Sequence, residues 1–322
     1  MCKTKYSEKI TMNNSLNDYM EYRSKLLLNV IFPIEIGGGI LLNIIAFFLW
    51  TFGSKSRNLC CATYFAANSL FDLLSLSING LWTVICFTDF NTNCYYSDVA
   101  CKVHYYMYSV FLQSSNWIST TITVERAMTI MFPLKFRSQD MRQHSKYAIA
   151  IIVVLVLSGN IPSFYAFVQL TETTYCTYNK LFDNFLYGII EESVRSFIPF
   201  IVILICNCCT VASLCKQRRN SVSPNHERYI NVFTKVTILT GLSFIVSNSV
   251  DFFCTNWDLF GLHHYFPELN PNVFFLLIDL KSILIYFNCL MNPIICFMVC
   301  KSMSDDIKTF SQRVLRVFCC GQ

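Results

Sequence analysis

Long apolar runs alternate with short polar stretches along the chain, and seven such runs can be counted. They lie near residues 27–50, 59–87, 101–132, 147–170, 185–215, 230–256 and 272–300. Each run reaches the ~20 residues that a helix needs to cross a bilayer. Because backbone groups in lipid must bond within their own segment, runs of this length form helices. The pattern predicts an all-α membrane protein, a seven-transmembrane helix bundle over residues 27–300.

Basic residues are concentrated in alternate connections between these runs. Of the 25 Lys and Arg residues, 16 lie in the stretches 55–57, 126–146, 216–235 and 301–322. Because such residues collect on the cytoplasmic side of a membrane, we predict that the tail 301–322 is cytoplasmic and the N-terminus 1–26 is outside. The N-terminus itself carries five basic residues, which opposes this orientation. A glycosylation sequon at Asn13 agrees with it.

Composition excludes several classes of protein. Hydrophobic residues make up 54% of the chain and charged residues 14%, against about 25% charged in soluble domains. The sequence contains no nucleotide-binding glycine loop, nucleophile elbow or metal-ligand spacing, so we predict no enzyme. No feature indicates a nucleic-acid partner.

The tail continues the membrane character of the chain. Apolar residues spaced for one helical face predict a short amphipathic helix along the membrane, namely Ile307, Phe310, Val314 and Val317. Beside it, Cys319 and Cys320 are candidate palmitoylation sites, with unmodified thiols as the alternative.

The third and seventh runs carry motifs on which a family resemblance rests. Cys101 lies 25 residues before Arg126, which is about 37 Å along a helix. The arginine belongs to Glu125-Arg126-Ala127, and Pro133-Leu134 follows. This resembles the third helix of rhodopsin-like (class A) G-protein-coupled receptors, except that Ala127 replaces a tyrosine. In the seventh run, Asn292-Pro293-Ile294-Ile295-Cys296 resembles the family's Asn-Pro-x-x-Tyr, with Cys296 replacing tyrosine. The Glu-Arg pair followed by Phe132-Pro133-Leu134-Lys135 is similar to the pattern of invertebrate neuropeptide receptors of the FMRFamide-like kind.

The resemblance implies a plasma-membrane receptor that binds an extracellular ligand and activates heterotrimeric G proteins. It assigns Glu125 and Arg126 to G-protein coupling. It also implies a disulfide between Cys101 and Cys176, with Cys94 as a rival partner. Departures from the family pattern leave open a receptor fold that does not couple to G proteins.

A buried carboxylate in the second run carries a further implication. Asp72 lies inside an apolar segment, where an ionisable residue indicates function. In the family this aspartate, a serine and two asparagines can bind a sodium ion. These positions correspond to Asp72, Ser115, Asn288 and Asn292. The alternative is the same polar network without an ion.

The ligand is inferred from the residues expected to line the pocket. Tyr108 stands where the family's amine receptors have an aspartate, and no lysine lies between Ser282 and Tyr286, where opsins attach retinal. The expected wall mixes charged and aromatic side chains: Trp82, Tyr105, Tyr108, Glu191, Glu192, Arg195, Asp251, Asp279 and Lys281. Such a wall suits a peptide. Within it, we predict that Arg195 and Asp251 lie within salt-bridge reach, unless a basic ligand group replaces Arg195.

Two other functions remain open at this point. A chemosensory receptor for small molecules would have the same fold and orientation. A transporter or channel could use the intramembrane acids as a pathway, although no internal repeat is visible.

Overall fold

The structure is a computed structural model that describes residues 30–59, 61–82, 97–132, 141–169, 176–178, 184–219, 224–259 and 271–309. Side chains are described for most of these residues, but not for 141–142, 167–169, 176–178, 184–186, 217–219, 224–233, 252–259 and 271–279. The predictions for Asn13, Cys319 and Cys320 lie outside the described residues. The side chains of Cys176 and Asp279 lie outside them as well.

Seven long helices correspond to the seven predicted runs. α1 is Phe32–Phe52, and α2 is Ala62–Ser75 with a π-helical continuation at Leu76–Gly80. α3 is Asp98–Met131 and α4 is Met141–Gly159. α5 has three successive parts: Asn184–Glu192, a π-helical turn at Ser193–Phe197, and Ile198–Arg219. α6 is Pro224–Leu259, α7 is Pro271–Val299, and helical backbone over 301–309 forms α8.

The fourth run departs from its predicted bounds. α4 begins at Met141 and ends at Gly159, where the expected helix continued to 170. A single helical turn, Ser163–Ala166, follows, and then β1 (Phe167–Gln169) pairs antiparallel with β2 (Cys176–Tyr178). Because Gly and Pro both disfavour a continuing helix, Gly159 and Pro162 mark this break. The helical bundle is confirmed, and a short hairpin is added to it.

Within the described residues, four helices are long and apolar enough to cross a membrane by length and composition alone. The candidate spans are Phe32–Phe52 (α1), Gln143–Ala166 (α4 from Gln143 together with the helical turn that follows it), Tyr187–Lys216 (within α5) and Leu280–Val299 (within α7). α3 is more polar because it places amide and hydroxyl side chains inside the bundle. Its residues Gln113, Ser115 and Asn116 are all buried.

α3 lies at the centre of the bundle. It contacts α2, α4, α5 and α6, while α1 packs against α2 and α7, and α6 against α7. Ser97 caps α3, since its hydroxyl accepts the Ala100 N–H at 3.1 Å. The two ends of α3 define the directions used below: the Cys101 end and the Arg126 end.

Close helix contacts in the bundle depend on single glycines. A Cβ on Gly39 of α1 would lie 2.7 Å from Leu76, and one on Gly80 would lie 2.9 Å from Ile36. Gly37 has no neighbour within 4 Å. One turn further along α1, the amide of Asn43 donates to the carbonyl oxygens of Gly39 and Cys289, at 2.9 and 3.0 Å. A glycine contact therefore joins α1 to α2, and a buried amide joins α1 to α7.

Candidate functional site

Two acids and two bases form a buried ion cluster between α5, α6 and α7, consisting of Glu192, Arg195, Asp251 and Lys281. Nη2 of Arg195 lies 3.3 Å from one carboxylate oxygen of Asp251, and Nζ of Lys281 lies 2.9 Å from the other. Arg195 also pairs with Glu192, one turn earlier on α5. The predicted pairing of Arg195 with Asp251 is confirmed. Lys281 as a second partner of Asp251 was not predicted.

A π-helical turn positions Arg195 in this cluster. A wider turn breaks the regular bonding of an α-helix, and its carbonyl oxygens then need other donors. α3 supplies them, because Asn116 donates to the Arg195 carbonyl at 3.0 Å and Trp117 to the Val194 carbonyl at 3.1 Å. The turn is therefore held from its carbonyl side while the Arg195 guanidinium faces α6. π-helical turns are frequent at functional sites.

Hydrogen bonding inside the cluster is incomplete among the described residues. Ser196 donates to Asp251 at 3.4 Å, but Nε of Arg195 and Oε1 of Glu192 are buried without a described partner. Leaving such atoms unsatisfied costs free energy. One donor and one acceptor of the ion cluster are thus left without a described hydrogen bond.

The other predicted wall residues divide into separate groups. Trp82 and Tyr105 pack around Cys101 and Ala166 together with Tyr187, so they form an aromatic group at the Cys101 end. Trp82 also lies against His104, with ring centroids 5.0 Å apart. Tyr108 lies within electrostatic range of Arg195 and Asp251.

Glu191 lies within electrostatic range of Arg195 and Glu192, but its described hydrogen bond is to α3. Its carboxylate accepts a hydrogen bond from Ser109 of α3 at 3.3 Å and lines a cavity between α3, α4 and α5. Consecutive residues of a helix point in different directions, so Glu191 and Glu192 serve different surfaces. The assignment of Glu191 to the ligand-binding wall stays a prediction.

Asp72 is fully buried at the centre of a polar network. One carboxylate oxygen accepts from Ser115 at 2.5 Å, and the other accepts from Asn68 at 3.0 Å and Asn292 at 2.9 Å. Three of the four predicted members are thus brought together. Asn288 was predicted here, but its described hydrogen bond is from Ser243 of α6, at 3.4 Å.

Asn68 belongs to the Asp72 network, although it was not predicted there. Its position four residues before Asp72 was a usable signal, since residues spaced by four share a helix face. Its oxygen accepts from Ser119 at 2.8 Å, which extends the network along α3.

Oxygen atoms of Asp72, Ser115 and Asn292 are the kind of ligand that suits a hard cation. A carboxylate has about four acceptor positions, and three donors are described for Asp72. The sodium ion, and the same network without an ion, both stay predictions.

The acidic-Arg pair lies at the other end of α3. Tyr64 of α2 donates a hydrogen bond to Glu125, so this carboxylate is engaged by a second helix. Tyr64 itself is buried and belongs to a core cluster with Trp50 and Phe65. The rings of Trp50 and Phe65 stack with their centroids 4.9 Å apart. The contact was not predicted, since nothing in the sequence relates the heights of α2 and α3.

Asp306 of α8 joins the tail to the connection between α1 and α2. Its carboxylate accepts from the Ser56 N–H at 2.8 Å, the Ser56 hydroxyl at 2.7 Å and the Ser54 hydroxyl at 2.9 Å. The neighbouring Asp305 pairs with Lys55 at 2.9 Å. Burial alone would raise the pKa of Asp306, but these hydrogen bonds outweigh it and hold the pKa below its ordinary value. We call this contact the α8 anchor.

Cys101 is buried and disulfide-bonded. It packs against Ala166, the residue directly before β1. The backbone of Cys176 lies in β2, opposite Gln169 of β1. Cys176 as the partner of Cys101 stays a prediction.

Comparison with known proteins agrees with this architecture. Residues 42–296 match the family model described as 7 transmembrane receptor (rhodopsin family). The gonadotropin-releasing hormone receptor of Rattus norvegicus is 22% identical over 224 residues, which is 63% of this chain and 64% of that protein. Lysophosphatidic acid receptor 6 of Gallus gallus is 24% identical over 66% of this chain and 71% of its own length. Lysophosphatidic acid receptor 4 of Homo sapiens is 22% identical over 92% and 80%.

The chain belongs to the rhodopsin family of seven-transmembrane receptors. Members of this family are receptors rather than enzymes, and they are multi-pass membrane proteins. The predicted family is confirmed. The narrower FMRFamide-like type receives no support from these relatives.

Proposed function

We propose that this chain is a receptor for an extracellular peptide and that it activates heterotrimeric G proteins. In this proposal the Cys101 end and residues 1–26 face outside, and the Arg126 end and residues 301–322 face the cytosol of a cell bounded by the plasma membrane. Asn13 is then open to glycosylation, and Cys319 and Cys320 to palmitoylation. Glu125 and Arg126 lie at the G-protein side.

The ion cluster is the observation that carries the peptide assignment. Asp251 is 1% exposed and Glu192 is 2% exposed, so their charges depend on neighbouring bases. Arg195 Nε and Glu192 Oε1 offer one free donor and one free acceptor among the described residues. A peptide amide presents one acceptor and one donor, which would satisfy both. The relatives' names include a hormone receptor and lysophosphatidic acid receptors, so the ion cluster rather than the relatives selects the ligand class.

The test is a ligand screen on cells that express the full chain. Short amidated peptides, biogenic amines and odorants are applied, with calcium and cyclic-AMP readouts. We expect a peptide to be active and Asp251→Asn to raise its half-maximal concentration at least about tenfold, since ~1.4 kcal/mol corresponds to a tenfold change in affinity. Asp305→Asn is the matched control, because Asp305 is an acid outside the ion cluster that pairs with Lys55.

Three outcomes contradict the proposal in different ways. Responses limited to odorants would indicate a chemosensory receptor for small molecules. Solute uptake or an ion current without second-messenger change would indicate a transporter or channel. Peptide binding without a second-messenger response would indicate a receptor fold that does not couple to G proteins.

A further inference from the structure

A groove of about 650 Å³ lies between α3, α4 and α5. Its rim includes Leu155 at 63% exposure, Ile190 at 53% and Val194 at 37%. In a protein that spans a membrane, apolar side chains exposed in the middle of a helix face the lipid. The groove therefore opens sideways to the bilayer. Its volume lies within the ~300–1,000 Å³ of small-molecule sites.

Two kinds of polar group line this lipid-facing groove. Gln113 and Asn160 bond each other through their amides, at 2.9 and 3.3 Å, so they satisfy one another. Glu191 accepts a hydrogen bond only from Ser109 among the described contacts. A carboxylate next to lipid is costly unless it meets a cation.

The bases nearby contact other acids among the described residues. Arg195 and Lys281 both contact Asp251, and Arg195 in addition pairs with Glu192. Arg195 lies within electrostatic range of Glu191, but no ion pair is described for Glu191, which lines the groove.

We propose that the lipid-facing groove binds a single-chain amphiphile with a cationic amine headgroup, drawn from the bilayer. The amine pairs with Glu191, and the chain lies along Leu155 and Ile190. This is a second site, separate from the ion cluster, and it does not depend on the nature of the extracellular ligand.

Trp117 provides a direct readout, because its indole lines the groove and donates to the Val194 carbonyl. The full chain is purified into phosphatidylcholine nanodiscs and titrated with dibromo-octadecylamine, whose bromine atoms quench indole fluorescence on contact. Dibromo-octadecanol and dibromo-octadecanoic acid are the matched headgroup controls. We expect saturable quenching by the amine, with about tenfold higher affinity than either control.

Four variants locate the bound amine. Glu191→Gln should lower the affinity of the amine about tenfold and leave that of the alcohol unchanged. Trp117→Phe should remove the saturable quenching. Gly159→Leu should block binding by filling the groove, since a Cβ there meets nothing within 4 Å. Gly37→Leu is the matched control, because Gly37 is equally open but lies on α1.

The proposal is overturned by any of three results. These are quenching that never saturates, equal affinity for all three headgroups, or saturable quenching that survives Gly159→Leu. Thermal unfolding of each variant confirms that the fold is retained. The measurement needs no signalling, so it stands or falls separately from the peptide proposal.

Discussion

At the scale of single residues, the contact between Tyr64 and Glu125 changes the expected behaviour of the Arg126 end. In the family, the acid next to the arginine restrains it in the inactive state. Here Glu125 accepts a hydrogen bond from a tyrosine of α2, and we propose that this bond weakens its hold on Arg126. The receptor should therefore show signalling without ligand, since a charge pair weakened by ~1 kcal/mol shifts a two-state equilibrium several-fold.

Tyr64→Phe tests this proposal directly. The variant keeps the ring in its core cluster and removes only the hydroxyl, so Glu125 becomes fully available to Arg126. We expect ligand-independent signalling to fall several-fold, measured as basal second messenger per receptor at the cell surface. Arg126→Ala is the silent control. Unchanged or higher basal signalling in Tyr64→Phe would show that the hydroxyl does not compete for Glu125.

The chemistry of a residue was easier to predict from the sequence than the direction in which its side chain points. Asp251 and Arg195 could be paired from the sequence, because both lie at similar depth and opposite charges buried in lipid must meet. Lys281 and Asn288 show the limit of this reasoning. Their partners depend on how α7 packs against α6, and the spacing of residues within α7 does not determine that packing.

At the scale of helices, the α8 anchor predicts a dependence on pH. The pKa of Asp306 is lowered in the folded protein, so its charge stabilises the fold above the ordinary pKa of 3.8. That stabilisation is lost as the pH falls through the lowered value. We expect Asp306→Asn to cost ~1–3 kcal/mol at neutral pH and to reduce the further loss of stability on acidification. Melting temperatures of both proteins between pH 7 and pH 2.5 measure this.

The matched control for the α8 anchor is Asp305→Asn. Asp305 has a lowered pKa too, because of its hydrogen bond and charge interaction with Lys55, but its side chain is more exposed. Exposed ion pairs contribute little to stability. If the two variants lose equal stability, the buried hydrogen bonds of Asp306 do not hold α8.

A glycine also sets the distance between α5 and α6. A Cβ on Gly241 would lie 2.4 Å from Nδ2 of Asn207 and 3.1 Å from Ile203. We expect Gly241→Ala to destabilise the receptor by ~1–3 kcal/mol through overpacking. Adding Asn207→Ala removes the colliding amide and should recover most of this loss, as a double-mutant cycle on melting temperature would show. If the two changes lower the melting temperature additively, a Cβ at position 241 does not collide with Asn207.

At the scale of the whole molecule, the disulfide of Cys101 joins α3 to another part of the chain. If Cys176 is the partner, Cys101→Ser and Cys176→Ser should each lower surface expression, and the double variant should be no worse than either. Thiol labelling of Cys176→Ser should then modify Cys101. Cys94→Ser is the discriminating variant, because normal expression is expected unless the rival pairing is correct.

The helix bundle could be predicted from the sequence because every segment in lipid must satisfy its own backbone hydrogen bonds. The seven apolar runs correspond to seven helices among the described residues, and α6 is one helix, Pro224–Leu259. The hairpin after α4 could not be predicted from the sequence. Its strands are three residues each and lie within or beside an apolar run, so their pairing follows from the local break at Gly159 and Pro162 rather than from periodicity.

The π-helical turn of α5 has a consequence for how this receptor is compared with others. Such a turn holds one residue more than the α-helical turn it replaces. If α5 of a relative is a regular α-helix, a residue-by-residue alignment started at Pro199, inward of this turn, places Glu191 and Glu192 one position away from their structural equivalents. A correct alignment needs a one-residue gap between Ser193 and Phe197. Insertion of a single residue is enough to convert an α-helical turn into such a turn. The Cys101 half of α5 could thus acquire a different set of contacts in one mutational step, with every original side chain retained.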